Sequence, residues 1–170
     1  MIIGFTGHQR IDHPDRWDWV QEQFAQILRE VASPNDRALT ALAAGGDQLF
    51  SQVALAAGLA IEVVVPCAGY EAAFERPEEL SQYEALLARA SGVTRLDFPA
   101  PSEDAFLAAG VHVVDQSELV VALWNGNAPA GKGGTGDIVE YARQRKVPVI
   151  HVDPDLMQVF GRTEKRSGEA

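Results

Sequence analysis

The sequence predicts a three-layer, doubly wound α/β fold with a mainly parallel sheet. Two observations predict it: short apolar runs recur along the 170 residues without polar alternation, and segments with helical spacing lie between them. Unbroken apolar runs are typical of strands that are buried on both faces, as in a parallel sheet covered by helices. Because strands and helices alternate and the crossovers between parallel strands are right-handed, helices are expected on both faces of the sheet.

The strands are predicted at the apolar runs. A weaker segment, residues 93–98, mixes charged and apolar residues and is therefore placed at an edge of the sheet. The main runs are residues 2–5, 38–42, 61–65, 119–124 and 147–152.

The first helix is predicted between the first two strands, because apolar residues recur at three- and four-residue spacing from Trp17 to Val31. Pro14 suits its first turn, where a missing N–H is tolerated. Trp19 falls off the apolar stripe, so an exposed aromatic side chain is expected there. Apolar and polar positions again separate by face in the other predicted helices, residues 47–57, 78–90, 103–116 and 134–145.

Length and composition indicate one globular domain, residues 1–155, followed by a polar tail, residues 156–170. Hydrophobic residues make up 46% of the chain and charged residues 22%, the usual mix for a soluble protein. Cys67 is the single cysteine, so no internal disulfide can form, and no apolar run reaches the ~18 residues of a membrane span. These features favour a cytoplasmic protein without a membrane partner.

The charge balance argues against nucleic acid as a partner. Fourteen Lys and Arg residues against 24 Asp and Glu residues give a net charge of −10, whereas binding to a nucleic-acid polymer usually needs clustered Lys and Arg. We therefore expect no nucleic-acid partner. A single small anion is not excluded, because charges are screened over about 8 Å at physiological salt and local donors then decide whether it binds.

Functional residues are expected in the turns that follow the strands, because ligands of open α/β sheets bind outside the carboxyl ends of the strands. Residues 6–10, 44–48 and 131–137 form three such turns. The last is the most specific, because glycines ahead of a helix let backbone N–H groups approach an anion closely. Gly133, Gly134 and Thr135 are the predicted phosphate ligands, and a glycine-rich surface loop with a capping threonine is the alternative.

The first turn offers Gly7, His8 and Arg10 to the same ligand. Arg can hold a phosphate through two parallel hydrogen bonds, while His donates one. The alternative for His8 is a hydrogen bond to the backbone of its own loop.

The second turn contributes Gly45, Gly46 and Asp47 as candidate ligand-binding residues. The two glycines permit close approach of the backbone to a ligand, or tight packing of a helix on a strand. Asp47 stands where a helix N-cap is expected, and capping is the favoured role for it.

Asp137 and Glu140 are the candidate catalytic residues if the protein is an enzyme. They are three residues apart on a predicted helix and can therefore share one face. Carboxylates near a ribose can stabilise an oxocarbenium-like centre or activate water, as in glycosidic cleavage. The alternative is that they are acids near the start of a helix that complement its dipole.

Residues 4–10, 43–47 and 131–135, with Glu140 behind the last, resemble the SLOG superfamily. This Rossmann-like group includes the LOG cytokinin-activating phosphoribohydrolases, the molybdenum-cofactor carrier proteins and the core of DNA-processing protein A. The resemblance spans most of residues 1–152 and implies a nucleotide or nucleotide-derived ligand over the glycine-rich loop, usually in a homo-oligomer. In the LOG pattern a glutamate follows the loop threonine by two or three residues. In this sequence Asp137 follows Thr135 by two residues, and Glu140 follows it by five.

The favoured hypothesis is a sensor or carrier that binds a nucleotide-type phosphate ligand, because the glycine-rich loop is intact while the acids are displaced. The alternative is a LOG-like phosphoribohydrolase that cleaves the N-glycosidic bond of a nucleoside monophosphate. A pure interaction scaffold, suggested by Trp19, is a third hypothesis. No metal and no resident cofactor are expected, because no Cys/His cluster has the spacing of a zinc site.

Overall fold

Seven strands form one sheet in the described part of the chain, which comprises residues 1–129 and 131–162 of a computed structural model. Every strand but the last in the chain coincides with one of the apolar runs of the sequence or with the weaker segment, residues 93–98, that was predicted at the edge of the sheet. The strands are β1 (Ile2–Gly7), β2 (Arg37–Thr40), β3 (Ala60–Val65), β4 (Gly92–Arg95), β5 (Leu119–Leu123), β6 (Val149–Asp153) and β7 (Gln158–Phe160).

The sheet order is β4-β3-β2-β1-β5-β6-β7, with β1 to β6 parallel and β7 antiparallel to β6. The chain runs outward from β1 to β4, returns to place β5 on the other side of β1, and then continues to the opposite edge. The carboxyl ends of β1 and β5 are aligned, since Gly7 is the register partner of Leu123. The sheet therefore reverses its strand order between β1 and β5, which is where ligands of open α/β sheets bind.

Helices cover both faces of this sheet: α1 (Trp17–Val31), α2 (Gly46–Ala56), α3 (Pro77–Leu87), α4 (Glu103–Gln116) and α5 (Thr135–Gln144). On one face, α1, α2 and α3 pack against a core that includes Phe5, Phe24 and Phe50. On the other face, α4 and α5 pack against smaller apolar clusters that include Val64 and Val120. The predicted three-layer doubly wound fold is confirmed.

Three aromatic rings join β1 to its helices. The ring of Phe5 stacks on Phe50 with centroids 4.7 Å apart, and Phe24 meets both edge-on at 5.3 and 5.5 Å. All three side chains are buried. Because offset and edge-to-face aromatic pairs add to the stabilisation from buried area, this cluster fixes β1 beneath the loops at its carboxyl end.

The ends of the elements differ from the sequence expectation in a few places. Pro14 begins a short 3-10 turn, Pro14–Arg16, and α1 itself begins at Trp17. Trp19 is half-buried and packs against the core, so it is less exposed than expected. Strand β7 lies beyond residue 155, where the sequence interpretation ended the domain, and residues 163–170 of the expected tail lie outside the described residues.

Within the described residues, none of the helices has the length and apolar character that crossing a membrane requires.

Candidate functional site

A cleft of about 710 Å³ opens at the carboxyl edge of the sheet, beside the ends of β1 and β5. All three turns singled out in the sequence contribute to its lining, together with the segment after β3 and one side of α4. The sequence placed these turns on one edge because parallel strands end on the same side, and the structure brings them together around one space.

His8 connects the first turn to the loop after β5. Its Nε2 accepts a hydrogen bond from the backbone N–H of Asn125 at 3.2 Å, and its Nδ1 lies 3.4 Å from Oγ1 of Thr135. Nε2 also lies 3.2 Å from the side-chain Oδ1 of Asn125, so both the backbone and the side chain of Asn125 contact the imidazole. Through Thr135 the same imidazole contacts the first residue of α5.

Arg10 does not reach the cleft lining within the described residues. Its guanidinium pairs with the carboxylate of Glu79 at 2.6 Å and lies 3.7 Å from that of Glu75, and it also donates to its neighbour's carbonyl oxygen, Gln9 O. In this structure Arg10 therefore joins the first turn to α3. Its contact with a phosphate stays a prediction.

Gly45 and Gly46 hold the first and second turns against each other. Gly45 has φ +76°, and a Cβ there would lie 2.2 Å from the backbone oxygen of Gln9, so a side chain is sterically excluded. The backbone N–H of Gly46 donates to the carbonyl oxygen of His8 at 3.1 Å. Of the two roles that the sequence left open for these glycines, the structure shows close packing between neighbouring segments.

Asp47 is not the N-cap of α2, and this expectation is wrong. The cap position belongs to Gly45, and Asp47 lies within the helix with its carboxylate buried at the cleft. Its Oδ2 accepts hydrogen bonds from the hydroxyl of Thr40 at 2.8 Å and from the backbone N–H of Ala41 at 3.2 Å. The side chain therefore ties α2 to the end of β2.

Burial raises the pKa of Asp47 from 3.8 to about 7, because the charged form loses its solvation in the interior. The hydrogen bonds from Thr40, Ala41 and Ala43 act in the opposite direction and lower the pKa. Desolvation is the larger effect, so Asp47 changes its charge near neutral pH on the lining of the cleft.

The glycine-rich loop uses part of its own hydrogen-bonding capacity. The backbone N–H of Gly133, which has φ +81°, donates to Oδ2 of Asp137 at 2.9 Å, and that of Gly134 donates to the carbonyl oxygen of Gly131 at 3.4 Å. The two glycines predicted as phosphate ligands therefore have their N–H groups occupied.

The next two residues have N–H groups that remain available. In the described part of the chain, the backbone N–H groups of Thr135 and Gly136 have no hydrogen-bond acceptor. They begin α5, where unpaired N–H groups and the helix dipole both favour an anion. With the hydroxyl of Thr135 they form a set of uncharged donors on one wall of the cleft, which we call the donor wall.

Asp137 and Glu140, the candidate catalytic residues, are not among the cleft-lining residues that the structure describes. Asp137 accepts from Gly133 and so stabilises the loop. Glu140 is exposed, and its Oε1 accepts a hydrogen bond from Gln144 at 3.3 Å. Asp137 lies in the first turn of α5, as in the alternative of an acid that complements the helix dipole, whereas Glu140 lies beyond that turn.

Aromatic side chains that sequence reasoning missed also line the cleft. Phe106 is 37% exposed, and the centroid of its ring lies 6.2 Å from that of Tyr70. Phe74 is half-buried and stacks on the buried Tyr83 at 4.8 Å. We call Phe106 and Phe74 the aromatic wall. Phe106 lies on a predicted helix but Phe74 lies in a segment without periodicity, so no pattern indicated that they would line the same cleft.

The cleft carries little positive charge. Among the described lining residues the charged side chains are Asp47, Glu103 and Lys132, and the ammonium of Lys132 is paired with Asp104. Nor do the described residues include a group of three or more His, Cys, Asp or Glu side chains arranged to hold a metal ion. A ligand would therefore be held by uncharged donors and aromatic surfaces.

Comparison with known proteins gives similarity of fold. The chain resembles DNA processing protein A from Helicobacter pylori, which binds single-stranded DNA, with a TM-score of 0.64 and 17% identity over 96% of this chain and 68% of that one. For DNA processing protein A from Streptococcus pneumoniae the TM-score is 0.62 and the sequence identity 14%, over 88% of this chain and 49% of that one. For the protein TM1055 the TM-score is 0.55 and the sequence identity 15%, over 87% of this chain and 71% of that one. No protein-family model and no curated protein sequence matches the chain.

These likenesses agree with the SLOG resemblance at the level of the fold and correct the functional expectations. The expected ligand, a nucleotide-type small molecule for a sensor, a carrier or a phosphoribohydrolase, is contradicted by the likeness to a protein that binds single-stranded DNA. The exclusion of nucleic acid is contradicted by the same finding. The physical reason is that the net charge describes the whole chain, whereas the donor wall is uncharged and local.

Proposed function

We propose that the cleft binds a short segment of single-stranded DNA. The observation that carries this proposal is that one cleft presents the donor wall together with the aromatic wall, of which Phe106 is exposed. A single strand offers both matching chemistries in each nucleotide, an anionic phosphate and an unpaired base. The likeness in fold to the Helicobacter pylori protein, which binds single-stranded DNA, supports the proposal.

The donor wall is suited to a phosphodiester group. The N–H groups of Thr135 and Gly136 and the hydroxyl of Thr135 are hydrogen-bond donors without charge, and phosphate oxygens are strong acceptors. Oγ1 of Thr135 lies 3.4 Å from Nδ1 of His8, whose Nε2 contacts Asn125, so the side chain of Thr135 is held in place by its neighbours. The donors are therefore positioned before the strand arrives.

The aromatic wall is suited to a base. Stacking on an aromatic side chain contributes about 1–3 kcal/mol per base and accepts any base, because each has a π-face. Phe106 has enough exposed surface for such a contact. The volume of about 710 Å³ lies in the range of about 300–1,000 Å³ that small ligands occupy, so only a short part of a strand fits inside.

The proposal is tested by fluorescence anisotropy with a labelled oligothymidylate. Phe106→Ala should weaken binding about 5- to 150-fold through lost stacking, and Thr135→Val about 10-fold through a lost hydrogen bond to a charged group. Leu156→Ala is the matched control, since Leu156 is an exposed apolar residue outside the cleft lining and should leave affinity unchanged.

Three outcomes would overturn the proposal. The protein does not bind the oligonucleotide, Phe106→Ala binds as tightly as the wild type, or thymidine monophosphate competes at the same concentration as the unlabelled oligonucleotide. The last outcome would mean that the cleft recognises a single nucleotide and that the strand adds nothing.

A further inference from the structure

A row of side chains outside the cleft lies near the edge of the sheet formed by β6 and β7. Trp124 follows β5, His151 lies in β6 and Phe160 lies in β7; the ring centroids are 5.1 Å apart for Trp124 and His151 and 5.4 Å for His151 and Phe160. The guanidinium carbon of Arg143, in α5, lies 5.7 Å from the centre of the indole ring. We call these four residues the aromatic row.

Backbone pairing fixes the row. His151 and Phe160 are register partners in the antiparallel pair of β6 and β7, so their side chains lie on the same face of the sheet. His151 Nε2 donates a hydrogen bond to the carbonyl oxygen of Trp124 at 2.5 Å, which holds the imidazole beside the indole. The rings are therefore held in place without a ligand.

The row begins where the donor wall ends. The indole Nε1 of Trp124 donates to the backbone oxygen of Asn127 at 2.9 Å, and Asn127 lines the cleft. A Cβ on Gly136, one of the two residues with available N–H groups, would lie 3.4 Å from the same Nε1. A phosphate held at the start of α5 is therefore close to the row.

The row has the chemistry of a surface that stacks bases. Phe160 is 43% exposed, and Trp124 and His151 are half-buried. Aromatic faces with a nearby guanidinium bind successive bases of a single strand with little preference for sequence. The single positive charge of Arg143 also suits the phosphates between those bases.

We propose that the aromatic row binds the bases that follow the nucleotide held in the cleft, so that one DNA strand runs from the donor wall over Trp124 towards Phe160. This inference rests on the proposed function, because the strand is the same one. It adds a second contact surface, which short oligonucleotides do not reach and longer ones do.

The experiment measures the affinity of unlabelled oligothymidylates of about three and about ten nucleotides by isothermal titration calorimetry. Phe160→Leu keeps apolar volume and removes the ring, and Arg143→Gln removes the cation. Phe160→Tyr keeps the aromatic face and is the control. Thermal melts establish that each variant is folded.

We expect Phe160→Leu to weaken binding of the longer oligonucleotide about 5- to 150-fold and to leave binding of the shorter one unchanged. Arg143→Gln should act in the same direction, and Phe160→Tyr should bind as the wild type does. If wild-type protein binds the longer oligonucleotide and both Phe160→Leu and Arg143→Gln keep its affinity, the aromatic row is not a binding surface and the cleft proposal stands. If wild-type protein binds neither length, both proposals are wrong.

Discussion

Replacing Asp47 with Asn should change how the stability of the protein depends on pH. The carboxyl group of Asp47 is buried, and burial raises its pKa from 3.8 to about 7. In the unfolded chain the same group has its ordinary pKa. Between these two values the unfolded state releases the proton and the folded state keeps it, so Asp47 destabilises the folded protein increasingly as pH rises.

The size of this effect follows from the two pKa values. The difference between 3.8 and about 7 corresponds to about 4 kcal/mol at pH values above both, and about 3 kcal/mol of it develops between pH 5 and pH 8. Below pH 3.8 the group is protonated in both states and contributes nothing. Asn carries no charge at any of these pH values, so Asp47→Asn lacks this dependence.

Urea unfolding followed by circular dichroism measures the effect at pH 5, 6, 7 and 8. The free energy of unfolding of the wild type minus that of Asp47→Asn should fall by about 3 kcal/mol across this range. The subtraction removes the groups that titrate equally in both proteins. A difference that stays constant or rises with pH would show that the hydrogen bonds from Thr40, Ala41 and Ala43 outweigh desolvation, and would refute the reasoning.

Two further predictions concern binding in the cleft, and a third concerns the packing of the turns beside it. Binding of single-stranded DNA should depend weakly on salt, with log Kobs falling against log salt with a slope of about −0.7, because the donor wall is uncharged and Arg143 of the aromatic row offers one cation to a phosphate; a slope steeper than about −3 between about 50 and 200 mM salt would indicate a basic groove instead. Affinity should fall as pH rises through about 7, because Asp47 then becomes negative on the cleft lining; the same fall in Asp47→Asn would rule this cause out. Gly45→Ala should lower the free energy of unfolding by more than the ~1–3 kcal/mol of backbone strain, because its Cβ would lie 2.2 Å from Gln9 O. Gly58 has φ +83° and open space around it, so Gly58→Ala should lower the free energy of unfolding only by the backbone strain. Equal decreases for the two variants in urea unfolding would contradict the steric argument.

The sequence predicts the sheet well because the signal is local. A strand buried on both faces must be apolar at successive positions, as Leu119 to Leu123 are, and every residue of that strand is buried. The short edge strand Gly92–Arg95 is largely exposed, in agreement with its mixed composition. Strand β7 has only three residues, which is too short for a periodic pattern to stand out.

The turns of the site were predictable, but the partners of their side chains were not. Gly-rich turns after strands share one edge in any parallel sheet, which places residues 6–10, 44–48 and 131–137 together. The pairing of Arg10 with Glu79 and of His8 with Asn125 joins residues that are far apart in sequence, and only the packed fold brings them into contact. The interior position of Asp47 likewise depends on how α2 sits on β2.

The prediction that nucleic acid is not a partner was wrong because it applied the net charge of the whole chain to one local site. A net charge of −10 governs long-range attraction, which decays within about 8 Å at physiological salt. Hydrogen bonds from backbone N–H groups and contacts with aromatic faces act at a few ångströms and carry no net charge. A binder built from a cleft and one aromatic row therefore needs few cations, and its affinity should stop rising once an oligonucleotide spans both surfaces, because the acidic remainder of the chain offers the strand no further attraction.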